Sequence, residues 1–397
     1  MAEVSSLPVT DDLLAEIFLL LPTPADLVRA SAACVSFRRL VTDRAFLRRF
    51  RSLHAAPFLG FLNHNGFHPA LPPHTSAPAA RAVSLAADFS YSFLPSHDDT
   101  WKVRDVRDGR VLLDRTPEDA DADAAAEDSS SPVFTELAVC DPLHRRCLQL
   151  PPIPDNLAAS VEHPQRVEFQ PFLVPPPQPD NAEETSFRVI WMAQCKTKLV
   201  AFVFSSTTGE WRAVPSQGWA DLLAGTGVST TSSKSPVFFG RQYACGCFYW
   251  LMDWREKLLT LDTKTMEFSI ADHPPGCRRP PIAIVDAGEG RPGMLSVREN
   301  VAGGTFDLYY AIRGQNSNQW QMERIIPLDS GYRYYLRSAT ERYLLLIRSE
   351  QESSSDVECF SLDVKTLQLQ SVCKLKHHIQ RAHIYTNFPP SLSSHTI

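Results

Sequence analysis

Apolar positions recur at helical spacing over residues 7–54, and beyond residue 55 they fall into short runs separated by Pro and Gly. Leu13, Leu14, Ile17, Phe18 and Leu21 form one wide stripe at a 3.6-residue period, which predicts an amphipathic helix. Asp11, Asp12 and Glu16 lie toward its start, where negative charge opposes the positive end of the helix dipole. Pro22 ends it, and Thr23-Pro24-Ala25-Asp26 has the cap hydroxyl, first-turn proline and carboxylate of a new helix start. Leu27, Ala30, Cys34 and Val35 continue a second apolar face, Phe37, Leu40 and Val41 a third, and Phe46, Leu47, Phe50 and Leu53 a fourth after the Thr42-Asp43 break. A small helical bundle is expected, with its own core drawn from Leu13, Ile17, Leu21 and Val28. A segment of this size cannot hide four stripes internally, so part of its apolar surface is left for a partner.

The rest of the chain repeats itself. Leu261-Asp262-Thr263-Lys264-Thr265-Met266-Glu267-Phe268 aligns with Leu362-Asp363-Val364-Lys365-Thr366-Leu367-Gln368-Leu369. Phe204 to Trp211 fits the same frame, Cys140 to Cys147 fits it less closely, and the segment around Trp320 is a weaker copy. Each copy reads as strand, polar turn and strand, with the Asp, Ser or Thr able to accept backbone N–H bonds in the turn. Anchors at Cys147, Trp211, Phe268, Trp320 and Leu369 recur every fifty to sixty-odd residues, the length of a four-stranded propeller blade. Blades are read over 101–154, 165–215, 237–272, 281–328 and 333–376. Phe58 to Leu62 and Val83-Ser84-Leu85 are expected to join His383-Ile384-Tyr385-Thr386 in one more blade that closes the ring. Six blades are favoured, with seven as the alternative.

The helical segment resembles the F-box, which ties substrate receptors to a Skp-type adaptor and, through it, to a cullin ubiquitin ligase. The likeness runs through Asp11-Asp12-Leu13-Leu14, Glu16-Ile17, Leu21-Pro22, Asp26-Leu27, Ala32-Ala33-Cys34, Arg38-Arg39-Leu40 and Ala45-Phe46-Leu47. Val9-Thr10, Val35 and Phe37 depart from the residues usual in the family and keep its apolar character. By that resemblance Leu14, Phe18, Pro22, Leu27, Val35 and Phe37 face the adaptor. The repeats resemble the kelch-like propellers of plant F-box proteins, and Pro389-Pro390-Ser391-Leu392 is similar to their chain ends. The implied organisation is α+β and multidomain: a disordered start at 1–6, an F-box bundle at 7–54, an all-β propeller at 55–390 and a flexible tail at 391–397. The implied role is substrate recognition in a ligase, holding a protein target whose identity the sequence leaves open.

Composition narrows the classes. A net charge of −6 argues against a globally basic nucleic-acid surface. No apolar run reaches membrane-spanning length and no leader pattern opens the chain, so a soluble protein of the cytoplasm or nucleus is expected, with no membrane partner. Nine scattered cysteines lack zinc spacing and read mainly as small buried hydrophobes. No phosphate loop, nucleophile elbow or His-Glu-x-x-His pattern is present, so no cofactor, metal or catalytic residue is assigned. The alternatives are a propeller enzyme, which needs acidic or histidine residues converging on the axis, and an adaptor-bound scaffold outside any ligase.

For the target, the connections between second and third strands are expected at 115–135, 194–197, 253–256, 299–305 and 350–356, all on one face. Two of them are acidic: Glu118, Asp119, Asp121, Asp123, Glu127 and Asp128 in the first, and Glu350, Glu352 and Asp356 in the last. They are read as solvated linkers or as attractors of a basic target segment. Trp254 and Arg255, in the turn Asp253-Trp254-Arg255-Glu256, are candidate target contacts, because Trp and Arg are enriched at interface hot spots.

Overall fold

The computed structural model describes residues 10–21, 24–54, 56–94, 101–115, 134–162, 171–175, 186–226, 238–252, 257–273, 282–300, 304–314, 319–350 and 356–386. The expected tails at 1–6 and 391–397, the acidic run at 118–130, and Pro22, Trp254 and Arg255 lie outside these residues. The chain divides into two compact units, Met1–Pro57 and Phe58–Ile397.

Among the described residues the first unit holds four helices: α1 (Asp11–Leu19), α2 (Pro24–Ser31), α3 (Val35–Val41) and α4 (Arg44–Leu53). Thr10 caps α1 by accepting the Leu13 N–H at 3.4 Å, and Asp43 caps α4 by accepting that of Phe46 at 2.9 Å. Such caps satisfy N–H groups that have no partner within the helix. Phe18, Leu19, Leu27, Val41, Phe46 and Phe50 form the buried core, and Phe18 meets Phe37 edge-on with centroids 5.0 Å apart.

The phase of α1 differs from the expectation. Leu13 is 52% exposed and Ile17 46%, although both are among the residues from which the core is expected to be drawn, while Phe18 and Leu27, expected to face an adaptor, are buried. Leu21 packs partly against the core, and the Val28 side chain lies outside the described set. Apolar residues occupy positions 13, 14, 15 and 17 to 21, a band wider than one helix face. Spacing therefore announces the helix but not its rotation, which the two phenylalanines of α1 and α3 set by packing on each other.

The second unit is a six-bladed β-propeller, which removes the seven-blade alternative. Its closing blade contains β1 (Phe58–Asn63) and β2 (Gly66–Pro69), followed by α5 (Ala77–Ala86). The next blades are β3 (Lys102–Arg107), β4 (Arg110–Arg115), β5 (Glu136–Asp141) and β6 (Arg146–Gln149), then β7 (Phe172–Val174), β8 (Arg188–Gln194), β9 (Lys198–Ser205) and β10 (Glu210–Gly218). The third is β11 (Phe238–Ala244), β12 (Cys247–Met252), β13 (Lys257–Asp262) and β14 (Phe268–Asp272), and the fourth is β15 (Ile282–Asp286), β16 (Pro292–Asn300), β17 (Thr305–Arg313) and β18 (Trp320–Pro327). The fifth is β19 (Tyr332–Ala339), β20 (Tyr343–Glu350), β21 (Val357–Asp363) and β22 (Leu369–Leu375), and β23 (His383–Thr386) returns to the closing blade.

The closing sheet has the order β2-β1-β23, so the two ends of the propeller pair as expected and the ring is closed. Val83-Ser84-Leu85 is not part of it. These residues belong to α5, whose Ala77, Ala80 and Val83 are buried at helical spacing and which packs on β1 and β2. Three alternating residues imitate a strand, but the alanines before them favour a helix. The closure is tied by polar contacts: Tyr385 donates to the Gly109 carbonyl at 3.0 Å, and His74 meets the Ser361 hydroxyl at 2.9 Å.

The repeated turns share one geometry. Asp262 Oδ1 accepts the N–H groups of Lys264 and Thr265 at 2.7 and 3.2 Å, and Asp363 Oδ1 accepts those of Lys365 and Thr366 at 2.8 and 3.3 Å. Asp141 accepts the His144 N–H at 3.1 Å. Four residues after Asp141, Ser205, Asp262 and Asp363 come Arg145, Gly209, Met266 and Leu367, all with φ between 51° and 70°. The side-chain acceptor closes the turn, and the left-handed residue redirects the chain into the next strand.

Between blades the core is aromatic. Phe172 of β7 meets Phe248 and Trp250 of β12 at 4.6 and 5.8 Å, so Trp250 fills space between neighbouring sheets. Trp191 and Trp211 are buried in a core shared by the first and second blades. Cys140, Cys195, Cys359 and Cys373 are buried thiols.

Candidate ligand-binding cleft and axial charges

Within each full blade the sheet order follows the chain, and the first strands of successive blades neighbour one another as β3 to β7, β11 to β15, β15 to β19, β19 to β23 and β23 to β3. These strands line the axis. Because each blade is an antiparallel meander, the connections from second to third strands share the face at which the axial strands begin, as the sequence implied. Glu350 and Asp356, both exposed, lie on that face.

On that face a cleft of about 870 Å³ lies between the closing blade and the first blade. One wall is the β1–β2 turn. Asn63 Oδ1 accepts the Asn65 N–H at 2.8 Å and meets His68 Nε2 at 3.0 Å, which leaves His64 and Asn65 exposed at the rim. Asn65 Nδ2 meets His377 Nε2 at 2.7 Å, and the His64 and His377 rings lie 6.3 Å apart. The segment before β23 adds His378 and Arg381, the start of β3 adds Trp101, Lys102 and Arg104, and Phe89 and Tyr91 supply an apolar side. Arg104 is paired with Asp114 at 2.6 Å. Among the described residues that line the cleft there is no Asp or Glu.

The histidines register this excess of positive charge. His68 has its proton affinity lowered by burial first and then by His377 and His64. His383, at the cleft floor and on the axis, is pushed down to about 4: burial disfavours its charged form, Asp105 opposes that, and Arg241, Arg381 and Arg104 reinforce it. Both shifts follow from desolvation first, with smaller contributions from neighbouring basic side chains. Among the described residues no group of three His, Cys, Asp or Glu side chains is placed to hold a metal ion.

Acidic and histidine residues do converge on the axis. Asp105 of β3 accepts the Leu173 N–H of β7 at 2.9 Å through Oδ2 and pairs through Oδ1 with Arg241 of β11 at 2.9 Å. Its carboxylate thus joins three blades. Near the opposite face burial raises the Glu341 carboxyl, opposed by Arg107. Cys245, in the β11–β12 turn, donates to Asp286 at 3.7 Å, and burial with that carboxylate pushes its thiol up to about 12.

Of the residues the resemblance assigned to the adaptor, Leu14 and Phe37 are half-buried and Val35 is 84% exposed. The cleft was missed in the sequence. His377-His378 is visible there as a pair beyond the last outer strand, but its partner Asn65 lies 312 residues away.

No family model matches the chain, and no curated protein does. Among solved structures it is similar to YCF48 bound to D1 peptide, at 10% identity over 70% of this chain and 68% of that one, TM-score 0.34. It is similar to the WD40 domain of SCAP from fission yeast at 9% identity, over 70% and 66%, TM-score 0.32. It is similar to an oligogalacturonate lyase in complex with manganese at 10% identity, over 68% and 65%, TM-score 0.37. The chain thus spans just under two thirds of the length of the latter two.

Proposed function

We propose that this protein is a substrate receptor of a cullin-type ubiquitin ligase, with the N-terminal helices docking a Skp-type adaptor and the propeller holding a protein target. The observation that carries the reading is an apolar stripe left uncovered on a very small helical unit. Leu13 and Ile17 of α1 and Leu20 at its C-cap, at i, i+4 and i+7, are 52%, 46% and 81% exposed, and Val35 at the start of α3 is 84% exposed. Large apolar side chains gathered on one helix face mark a surface that is covered in use. The ordered F-box-like residues from Asp11 to Leu47 supply the identity of the cover.

The receptor carries out no bond-making step in this reading. It raises the effective concentration of target lysines near a ubiquitin-charged enzyme by holding both in one assembly.

The test is co-purification of the full chain with a Skp-family adaptor and cullin. Leu20→Glu with Val35→Glu is expected to abolish co-purification while helix content by circular dichroism stays unchanged. Adaptor binding that survives this double substitution rejects the reading, and adaptor binding without cullin favours the scaffold alternative. Phe18→Glu and Leu27→Glu do not serve, since both residues are core.

A further inference from the structure

Two cysteines face each other across the outer strands of the fifth blade. Cys359 of β21 and Cys373 of β22 are direct partners in the antiparallel register, next to a bulge that shifts the pairing between Cys359 and Phe360. Both are buried in one core with Val357, Val372 and Ile384, so the two side chains lie on the same face of the sheet. Opposed residues of an antiparallel pair have Cα atoms about 4.5–5.5 Å apart, within the span of a disulfide. The two thiols are reduced and hydrogen-bond each other. We propose that Cys359 and Cys373 are a redox modification site, which hydrogen peroxide converts to a disulfide that fastens the outermost strand of the blade to its neighbour.

Burial in apolar surroundings ordinarily leaves a cysteine inert. Here the hydrogen bond offsets it: the Cys359 S–H stabilises a thiolate at Cys373, whose proton is held less tightly than usual, while Cys359 keeps its own more tightly. The Cys373 thiolate attacks one peroxide oxygen, the O–O bond breaks, and the leaving hydroxide takes up a proton to become water, which gives a sulfenic acid. Cys359 then attacks that sulfur while its proton passes to the departing oxygen, so the S–O bond breaks, the S–S bond forms and a second water leaves. The two thiols lose two electrons and the peroxide gains them. Cys140 and Cys147 are opposed in the same way in the first blade, but burial raises both of those thiols, so that pair is expected to react later. Position gives the Cys359 link its consequence. Beside the bulge the Val372 carbonyl accepts the Leu71 N–H at 2.9 Å, and Gln370 Oε1 accepts the N–H and the hydroxyl of Thr75, both at 3.0 Å. The segment that follows β2 in the closing blade is therefore anchored on β22, and the disulfide holds that anchor strand in place.

In the test the reduced full chain is exposed to hydrogen peroxide, the remaining thiols are alkylated after denaturation, and tryptic peptides are read by mass spectrometry, Lys365 lying between the two cysteines. A linked pair of peptides holding Cys359 and Cys373 is expected, lost on treatment with dithiothreitol and formed before any link between Cys140 and Cys147. The oxidised protein is expected to melt about 3 °C or more above the reduced form. Cys373→Ala is expected to abolish both the link and the shift, and Cys147→Ala to leave them. Oxidation of Cys373 to the sulfinic acid with Cys359 still alkylated, a link that forms only once the chain is unfolded, or a Cys140 to Cys147 link that forms first overturns the proposal. All three of these outcomes are read on the unsubstituted chain, so they decide the matter even where Cys373→Ala fails to fold.

Discussion

Arg241 in the first strand of the third blade lies 2.9 Å from Asp105 in the first strand of the first blade. The same carboxylate accepts the Leu173 N–H of the blade between them, so one aspartate holds three consecutive blades around the axis. Arg241→Met leaves a buried carboxylate without its counter-charge, and a loss of about 3 kcal/mol in unfolding free energy is expected. Asp105→Asn with Arg241→Met is expected to cost less than the sum of the single changes, measured by urea unfolding in a double-mutant cycle. Additive losses would show that the two groups are not coupled.

His383 makes stability depend on pH. Its folded pKa, about 4, lies below the ordinary value near 6.5, so the unfolded chain takes up the proton first as pH falls. Its contribution is complete above pH 6.5 and is lost on acidification from about 6.5 to about 4, a change of about 3 kcal/mol. Thermal unfolding across that window is expected to show a steeper decline in the wild type than in His383→Asn. Parallel curves would exclude this histidine as the source.

The repeated turns give a pair of opposite effects. Asp262→Ala removes the acceptor of two backbone N–H groups and is expected to cost about 1–2 kcal/mol. Arg145→Gly, at an exposed residue with φ 51°, relieves a left-handed conformation and is expected to stabilise by up to about 1 kcal/mol. Chemical denaturation midpoints decide both, and a destabilising Arg145→Gly would contradict the assignment of strain.

Gly60 guards the closing blade. Its φ is 150°, and a Cβ there would lie 2.2 Å from the His68 carbonyl oxygen in the paired strand β2. Gly60→Ala is expected to force β1 and β2 apart and to lower the melting temperature more than any turn substitution above, with a cost above about 2 kcal/mol. Faster proteolysis near residues 64–70 is the accompanying sign, and an unchanged melting curve would contradict the close approach.

Local pattern was enough for much of this protein. Helical stripes, the Asp262 and Asp363 turns, the blade spacing and the pairing of Phe58–Leu62 with His383–Thr386 all rest on residues within a few positions of one another or on repetition along the chain, so they are legible in sequence. What tertiary structure decided is of a different kind. The rotation of α1, which buries Phe18 and exposes Leu13, depends on which partner helix arrives. Val83 and Leu85 took the helical state because an alanine-rich turn precedes them. The cleft required ring closure to carry His64 to His377 and Lys102 to Arg381, and the axial pair required β3 and β11 to become innermost strands. Charges separated by more than a hundred residues leave no periodic trace, since their meeting is set by topology rather than by spacing.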